Sequence, residues 1–206
     1  MLIVHHLNNS RSQRILWLLE EIGVPYEIRH YQRDAVTNLA PPALKAVHPL
    51  GKSPMLEENG DLIVESAAIV EYLCARHAPQ MIPDAGSAAY LRHMELMHFA
   101  EGSAMIPILL QLYVGRLREA GAPLHPRIKA ELGSHFDYME SVLRPLGHFV
   151  LDDLSAADIM LSFPAEIAVA RSDGTARPKL AAFVKAMHDR PAWQRALEKS
   201  GPYHLA

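Results

Sequence analysis

The chain has 206 residues, half of them hydrophobic and about a fifth charged, with a formal net charge of −3. That balance suits one large or two small globular domains that bury a core without staples. Both signs of charge are interspersed, so no basic block offers a nucleic-acid footprint, and no apolar run approaches the length that crosses a bilayer. The single cysteine, Cys74, excludes an internal disulfide framework and fits a reducing compartment. The opening MLIVHHLNNSRS is too short in its apolar part, and too polar after it, for a secretory leader, so a cytoplasmic location is expected.

Leu2-Ile3-Val4 is a short β-branched run and reads as a strand. After a polar turn, Ser12 to Ile22 sets Ile15, Leu16, Leu18, Leu19 and Ile22 at helical spacing, and Gly23 with Pro25 supplies the stop. Tyr26 to Tyr31 alternates apolar and polar as a second strand, completing a βαβ unit. A proline-rich loop follows through Pro41-Pro42 and His48-Pro49-Leu50-Gly51. Pro54 to Glu57 and Leu62 to Val64 read as short strands joined across Asn59-Gly60, a strong hairpin signal. Glu65-Ser66 then opens a helix in which Ile69, Val70, Leu73 and Cys74 share a face. The order β-α-β-(α)-β-β-α, with a proline entering the third strand, is that of a thioredoxin-like α/β domain, assigned to residues 1–80.

Residues 81–87 are a linker by composition, and residues 88–206 read as an all-helical bundle domain. Its first helix is expected from about Ala88 to Glu119, kinked by Pro107. Further helices are expected from Pro126 to about Leu143, Ser155 to Ala170, Pro178 to His188 and Ala192 to Ser200. Ser155-Ala-Ala-Asp158 has the form of a capping box and is assigned to structure, not chemistry. Histidines are plentiful, but His5 and His6 alternate across a strand and His93 and His98 diverge on a helix, so no metal site is expected.

Three elements carry chemistry. The turn His6 to Ser12 joins the first strand to the first helix, where orphan N–H groups and the helix dipole favour an anion. Asn9 or Ser10 adds a side-chain donor there. A thiolate at that point would be stabilised, and with no cysteine in the turn it must come from a ligand. In Lys52-Ser53-Pro54, a proline opening a strand after a glycine-bearing loop suits a cis bond. That bond would turn the Ser53 backbone outward to pair with a short peptide, while Lys52 offers a charge to a carboxylate. Glu65-Ser66, at a helix start, suits an α-amino acid head group, with Ser66 holding the carboxylate and Glu65 the ammonium. Alone, the first and third elements read more simply as a cap and an acidic first turn, and the second equally well as an ordinary strand entry; together they span an amino-acid head, a central thiol and a terminal carboxylate, the layout of glutathione.

In HHLNNSRSQRILWLLEEIGVPYEI, HPLGKSPML, ESAAIVEYL and SAADIMLSFPAE, which span essentially the whole chain, the sequence resembles the cytosolic glutathione S-transferases, in particular their bacterial and fungal branch. The resemblance implies that Ser53, beside Pro54, pairs with the cysteinyl unit, that Glu65 and Ser66 hold the γ-glutamyl end, and that Lys52 meets the glycyl carboxylate. The thiol-activating position of serine-using classes falls on Asn9, with Ser10 one residue away. This departs from the better-known tyrosine, serine and cysteine patterns. An asparagine donates to a thiolate but takes no proton from a thiol, so activation would be electrostatic and the proton would leave to water. Also implied are an electrophile pocket between the long helix and the first turn, with Leu7 and Tyr113 as candidates, and a homodimer with glutathione as co-substrate and no metal. The implied activity is transfer of glutathione to an electrophilic small molecule, in detoxification. Glutathione-dependent disulfide or peroxide reduction, and a non-catalytic glutathione-binding regulator, are the alternatives.

Overall fold

The computed structural model describes residues 1–171 and 176–204, and its contacts divide the chain into two units. The first comprises Met1–Ile82 and the segment beginning at Ala186; the second is Pro83–Lys185.

The first unit is built on a four-stranded sheet in the order β2-β1-β3-β4, from β1 (Leu2–Leu7), β2 (Tyr26–Tyr31), β3 (Met55–Glu58) and β4 (Asp61–Val64). β1 runs parallel to β2 and antiparallel to β3, and β4 returns antiparallel beside β3. This is the expected thioredoxin-like arrangement. β1 extends past the apolar run Leu2-Ile3-Val4 because the two histidines that follow are buried and hydrogen-bonded. His5 sits between the Tyr31 hydroxyl, 2.9 Å from Nδ1, and Glu57 Oε1, 2.7 Å from Nε2.

Helix α1 (Ser12–Ile22) ends where Gly23, at φ 76°, takes the left-handed conformation and returns its N–H to the Leu19 carbonyl. Asn59 and Gly60 both have positive φ, 52° and 94°, as the two-residue turn between β3 and β4 requires. A short helix α2 (Ala43–Val47) interrupts the proline-rich loop, and α3 (Ser66–His77) follows β4.

The expected helical domain of 88–206 groups the last helix, α9 (Pro191–Ser200), with the bundle, but its contacts lie with α1. Trp193 meets Trp17 edge to face at 5.5 Å, both rings fully buried. Arg190 pairs with Glu21, and Glu20 accepts from Tyr26, Arg195 and Lys199. Burial alone would raise the Glu20 pKa, but the hydrogen bonds from Lys199, Tyr26 and Arg195 and the Lys199 charge more than offset it, so this carboxyl lies below its ordinary range.

In the second unit the expected single helix is two. α4 (Ala88–Phe99) passes through a wide π turn over Ala100–Ala104 into α5 (Met105–Gly115). Pro107 explains the break: it has no N–H for the carbonyl four residues back, and its ring crowds the turn before it. A tighter 3₁₀ stretch, Arg118–Leu124, replaces the expected helical end and leads into α6 (His125–Val142). α7 (Ala156–Ala170) starts with the capping box that Ser155 and Asp158 suggest, and α8 (Pro178–His188) follows. Among the described residues no helix is long and apolar enough to cross a membrane, and no cluster of side chains could hold a metal ion.

Candidate active site

The sheet register gathers the three chemistry-bearing elements at one end of the first unit. His5 pairs with Met55, and Met55 with Val64, so the end of β1, the start of β3 and the end of β4 lie side by side. Ser53 stitches two of them together: its hydroxyl donates to the His5 carbonyl at 2.8 Å and accepts from the Leu7 N–H at 3.2 Å. The Ser53–Pro54 bond is cis, as expected. Among the described residues, no partner meets the Ser53 backbone N–H or C=O. Lys52 is exposed, and no described carboxylate pairs with it.

The turn after β1 is held from both sides. Arg33 reaches across from the end of β2: Nε donates to the Asn8 carbonyl at 3.1 Å and Nη2 to the Asn9 carbonyl at 3.3 Å. The Arg33 N–H donates to Asn8 Oδ1 at 2.8 Å. This places a guanidinium against the turn's carbonyl oxygens and removes their repulsion for an anion. Asn9 sits at φ 49°, the left-handed region that asparagine tolerates best among residues with a side chain. Its Oδ1 accepts the backbone N–H of His204 at 2.8 Å. Its Nδ2 has no partner among the described residues.

Ser10, one residue on, is occupied differently. It is buried, its carbonyl accepts the Gln13 N–H at 3.1 Å, and its Oγ accepts the Ser12 N–H at 3.2 Å. Ser10 therefore satisfies the N–H of Ser12, the first residue of α1, from two residues upstream. Its Oγ also lies 2.8 Å from Ser12 Oγ, which lies 2.8 Å from His6 Nδ1. The His6 ring is hydrogen-bonded to the Ser200 backbone in a manner that favours the protonated ring, so the ring is the donor there, to the carbonyl. A neutral imidazole has one N–H, which leaves Nδ1 as an acceptor. Ser12 Oγ also donates to the Leu7 carbonyl at 3.3 Å, so the Ser10 hydroxyl is held in a buried hydrogen-bonded cluster with Ser12 and His6.

Burial, then the nearby His30, push the His6 pKa down to about 4 against the Ser200 carbonyl. A folded pKa below the unfolded one gives stability that is complete above pH 6.5 and is lost as pH falls toward 4, by about 3 kcal/mol. His93, lowered by burial, adds in the same direction. Unfolding free energies measured from pH 7 to 4 should show this loss, and His6→Gln should flatten it; an unchanged slope would show that His6 is charged in the fold.

Glu65 precedes α3 at φ 71°, a strained conformation for a residue with a side chain that costs about 1–3 kcal/mol. Its side chain is exposed, and its carbonyl accepts the Ile69 N–H. Ser66, the first residue of the helix, is buried. Leu7, an expected substrate contact, is 3% exposed and packs with Leu44 and Met55 in a core cluster. Tyr113 lies on α5, about half exposed. Sequence reasoning missed Arg33, Ser12, His6 and His204, whose roles depend on partners up to 195 residues away. Only Asn8 carried a signal, as half of an Asn-Asn turn.

The chain is similar to known proteins along nearly its whole length. Residues 1–75 match the family model described as "Glutathione S-transferase, N-terminal domain". The chain is 36% identical to Glutathione S-transferase 3 of Schizosaccharomyces pombe, over 97% of this chain and 88% of that one. It is 30% identical to Glutathione S-transferase 1 of Saccharomyces cerevisiae, over 96% and 94% of the two chains. A solved glutathione S-transferase from Actinobacillus pleuropneumoniae superimposes with a TM-score of 0.88 at 29% identity, over 97% of this chain and 93% of that one.

Proposed function

This chain belongs to the glutathione S-transferase family, and on that premise we propose that it activates glutathione through the carboxamide of Asn9. It is a glutathione transferase, an enzyme that moves glutathione onto an electrophilic small molecule. The observation that carries the assignment is the state of the Asn9 amide: its oxygen is occupied by the His204 N–H and its NH2 is unpaired, at the turn into α1.

In this reading the cysteinyl unit of glutathione pairs with the open N–H and C=O of Ser53, beside Pro54, as one residue of β-addition. Ser66 and the N-terminus of α3 take the γ-glutamyl carboxylate, Glu65 its ammonium, and Lys52 the glycyl carboxylate. The sulfur then lies at the β1–α1 turn, where the Asn9 NH2 donates to the thiolate and the Arg33 charge sits behind the carbonyl oxygens. The thiol proton leaves to water, because an amide has no site that accepts it. The sulfur lone pair forms a bond to the electrophilic carbon while the leaving group departs with its electron pair. The protein's contribution is position and charge stabilisation, with no covalent enzyme intermediate. A cytoplasmic homodimer acting on foreign electrophiles completes the reading; the lone cysteine, Cys74, is buried with its thiol pushed up to about 12 by burial and by Glu71, which suits an inert core thiol and not a redox partner.

Conjugation of glutathione to an aryl halide tests the assignment. Asn9→Ala should lose most of the turnover at neutral pH. Ser10→Ala should keep the pH profile of the wild type and lose stability instead, about 1 kcal/mol, through its buried hydrogen bonds to Ser12. The reverse ranking would give the thiolate to Ser10.

A further inference from the structure

A carboxamide is nearly symmetric in shape and opposite in charge at its two ends. Rotated by half a turn, Asn9 would present a carbonyl oxygen where it now presents an NH2, and a thiolate there would be repelled. An unrestrained asparagine samples both orientations. In this structure one group distinguishes them. The backbone N–H of His204, a donor only, lies 2.8 Å from Oδ1 and is compatible with the oxygen alone at that position.

The segment that brings this N–H to the turn is anchored within the same unit. α9 is held to α1 by the buried Trp17–Trp193 contact and by the Arg190, Arg195 and Lys199 links to Glu20 and Glu21. Gly201, at φ 81°, turns the chain out of α9, and the Tyr203 ring meets Trp193 edge to face at 6.0 Å. The next residue is His204, so the tail is registered against the helix by one aromatic contact immediately before it reaches Asn9.

We propose that the His204 backbone N–H is a positioning group for the transferase reaction, fixing the Asn9 carboxamide in the orientation that offers its NH2 to the glutathione sulfur. The inference rests on Asn9 as the thiolate donor, and it makes the chain after α9 part of the activation machinery without contact to the reacting atoms. What matters at position 204 is the main-chain donor, not the imidazole.

The test deletes the donor and leaves the rest. His204→Pro removes the N–H; His204→Ala keeps it. For each, and for Asn9→Ala, the thiol of bound glutathione is titrated by its ultraviolet thiolate absorbance, and glutathione affinity is measured by calorimetry. His204→Pro should raise the bound thiol pKa by about 0.5–1, a roughly 1.5- to threefold smaller thiolate fraction at pH 7, with affinity little changed. His204→Ala should restore the wild-type pKa. If Asn9→Ala raises the pKa and His204→Pro does not, the positioning role is overturned while Asn9 keeps its assignment. An Asn9→Ala enzyme with a wild-type pKa overturns both.

Discussion

Replacing Asn9 with alanine is expected to lower kcat/KM for aryl halide conjugation about tenfold at neutral pH, a ΔΔG‡ of about 1.4 kcal/mol, with only a few-fold loss of glutathione affinity. The magnitude follows from the thiol. An unperturbed thiol of pKa about 8.5 is only a few per cent ionised at pH 7, and lowering that value by about two requires about 2.7 kcal/mol of preferential interaction with the thiolate. A hydrogen bond to a charged acceptor is worth about 1.5–3 kcal/mol, so the Asn9 NH2 supplies most of the shift. The helix N-terminus and Arg33 supply the rest. Affinity survives because the anchors at Ser53, Glu65, Ser66 and Lys52 are separate from Asn9. The defect should therefore appear in the pH profile: large at pH 6.5, closing as pH rises past the free thiol pKa. A uniform loss at all pH values would point to misplacement of glutathione instead of lost ionisation.

Asp158→Ala is expected to reduce the unfolding free energy by about 3–5 kcal/mol and to leave the chemistry of any surviving folded enzyme unaffected. Asp158 is fully buried, and its carboxylate accepts from the Phe149 N–H at 2.8 Å and from both the N–H and the hydroxyl of Ser155 at 2.7 Å. Truncation leaves three buried donors without an acceptor at the start of a helix whose residues are almost all buried. Asp158→Asn, which keeps the shape and one acceptor oxygen, should recover part of the loss. Denaturant melts of the two variants decide this; equal stability to wild type would mean that water or another group satisfies those donors.

The elements easiest to read in the sequence were those specified by local patterns. α1 and β2 fall on the expected residues because helical spacing ending in Gly23, and strict alternation from Tyr26 to Tyr31, are each contained in the segment itself. The Asn59-Gly60 hairpin and the Ser155–Asp158 box are local in the same sense. The π turn before Pro107 was not legible, since a proline announces a break without saying which geometry absorbs it. Nor was the docking of α9 on α1, which depends on the match between Trp17 and Trp193, far apart in the chain.

The candidate site divides the same way. The three proposed anchors are legible as motifs at Asn9-Ser10, Lys52-Ser53-Pro54 and Glu65-Ser66, because each sits at a strand or helix boundary marked by its own residues. The choice between Asn9 and Ser10 was not visible. It depends on the partners each side chain finds in the fold: Ser12 and His6 for Ser10, and the His204 N–H for Asn9. Leu7, which the resemblance offers as a pocket residue, packs with Leu44 and Met55, partners that only the folded sheet brings to it.

The most direct measurement of the central claim is the pKa of the glutathione thiol bound to the wild-type protein, read from thiolate absorbance across pH 5 to 10. Thiolate activation at the β1–α1 turn predicts a value about two below that of free glutathione. Binding with an unshifted pKa would contradict it.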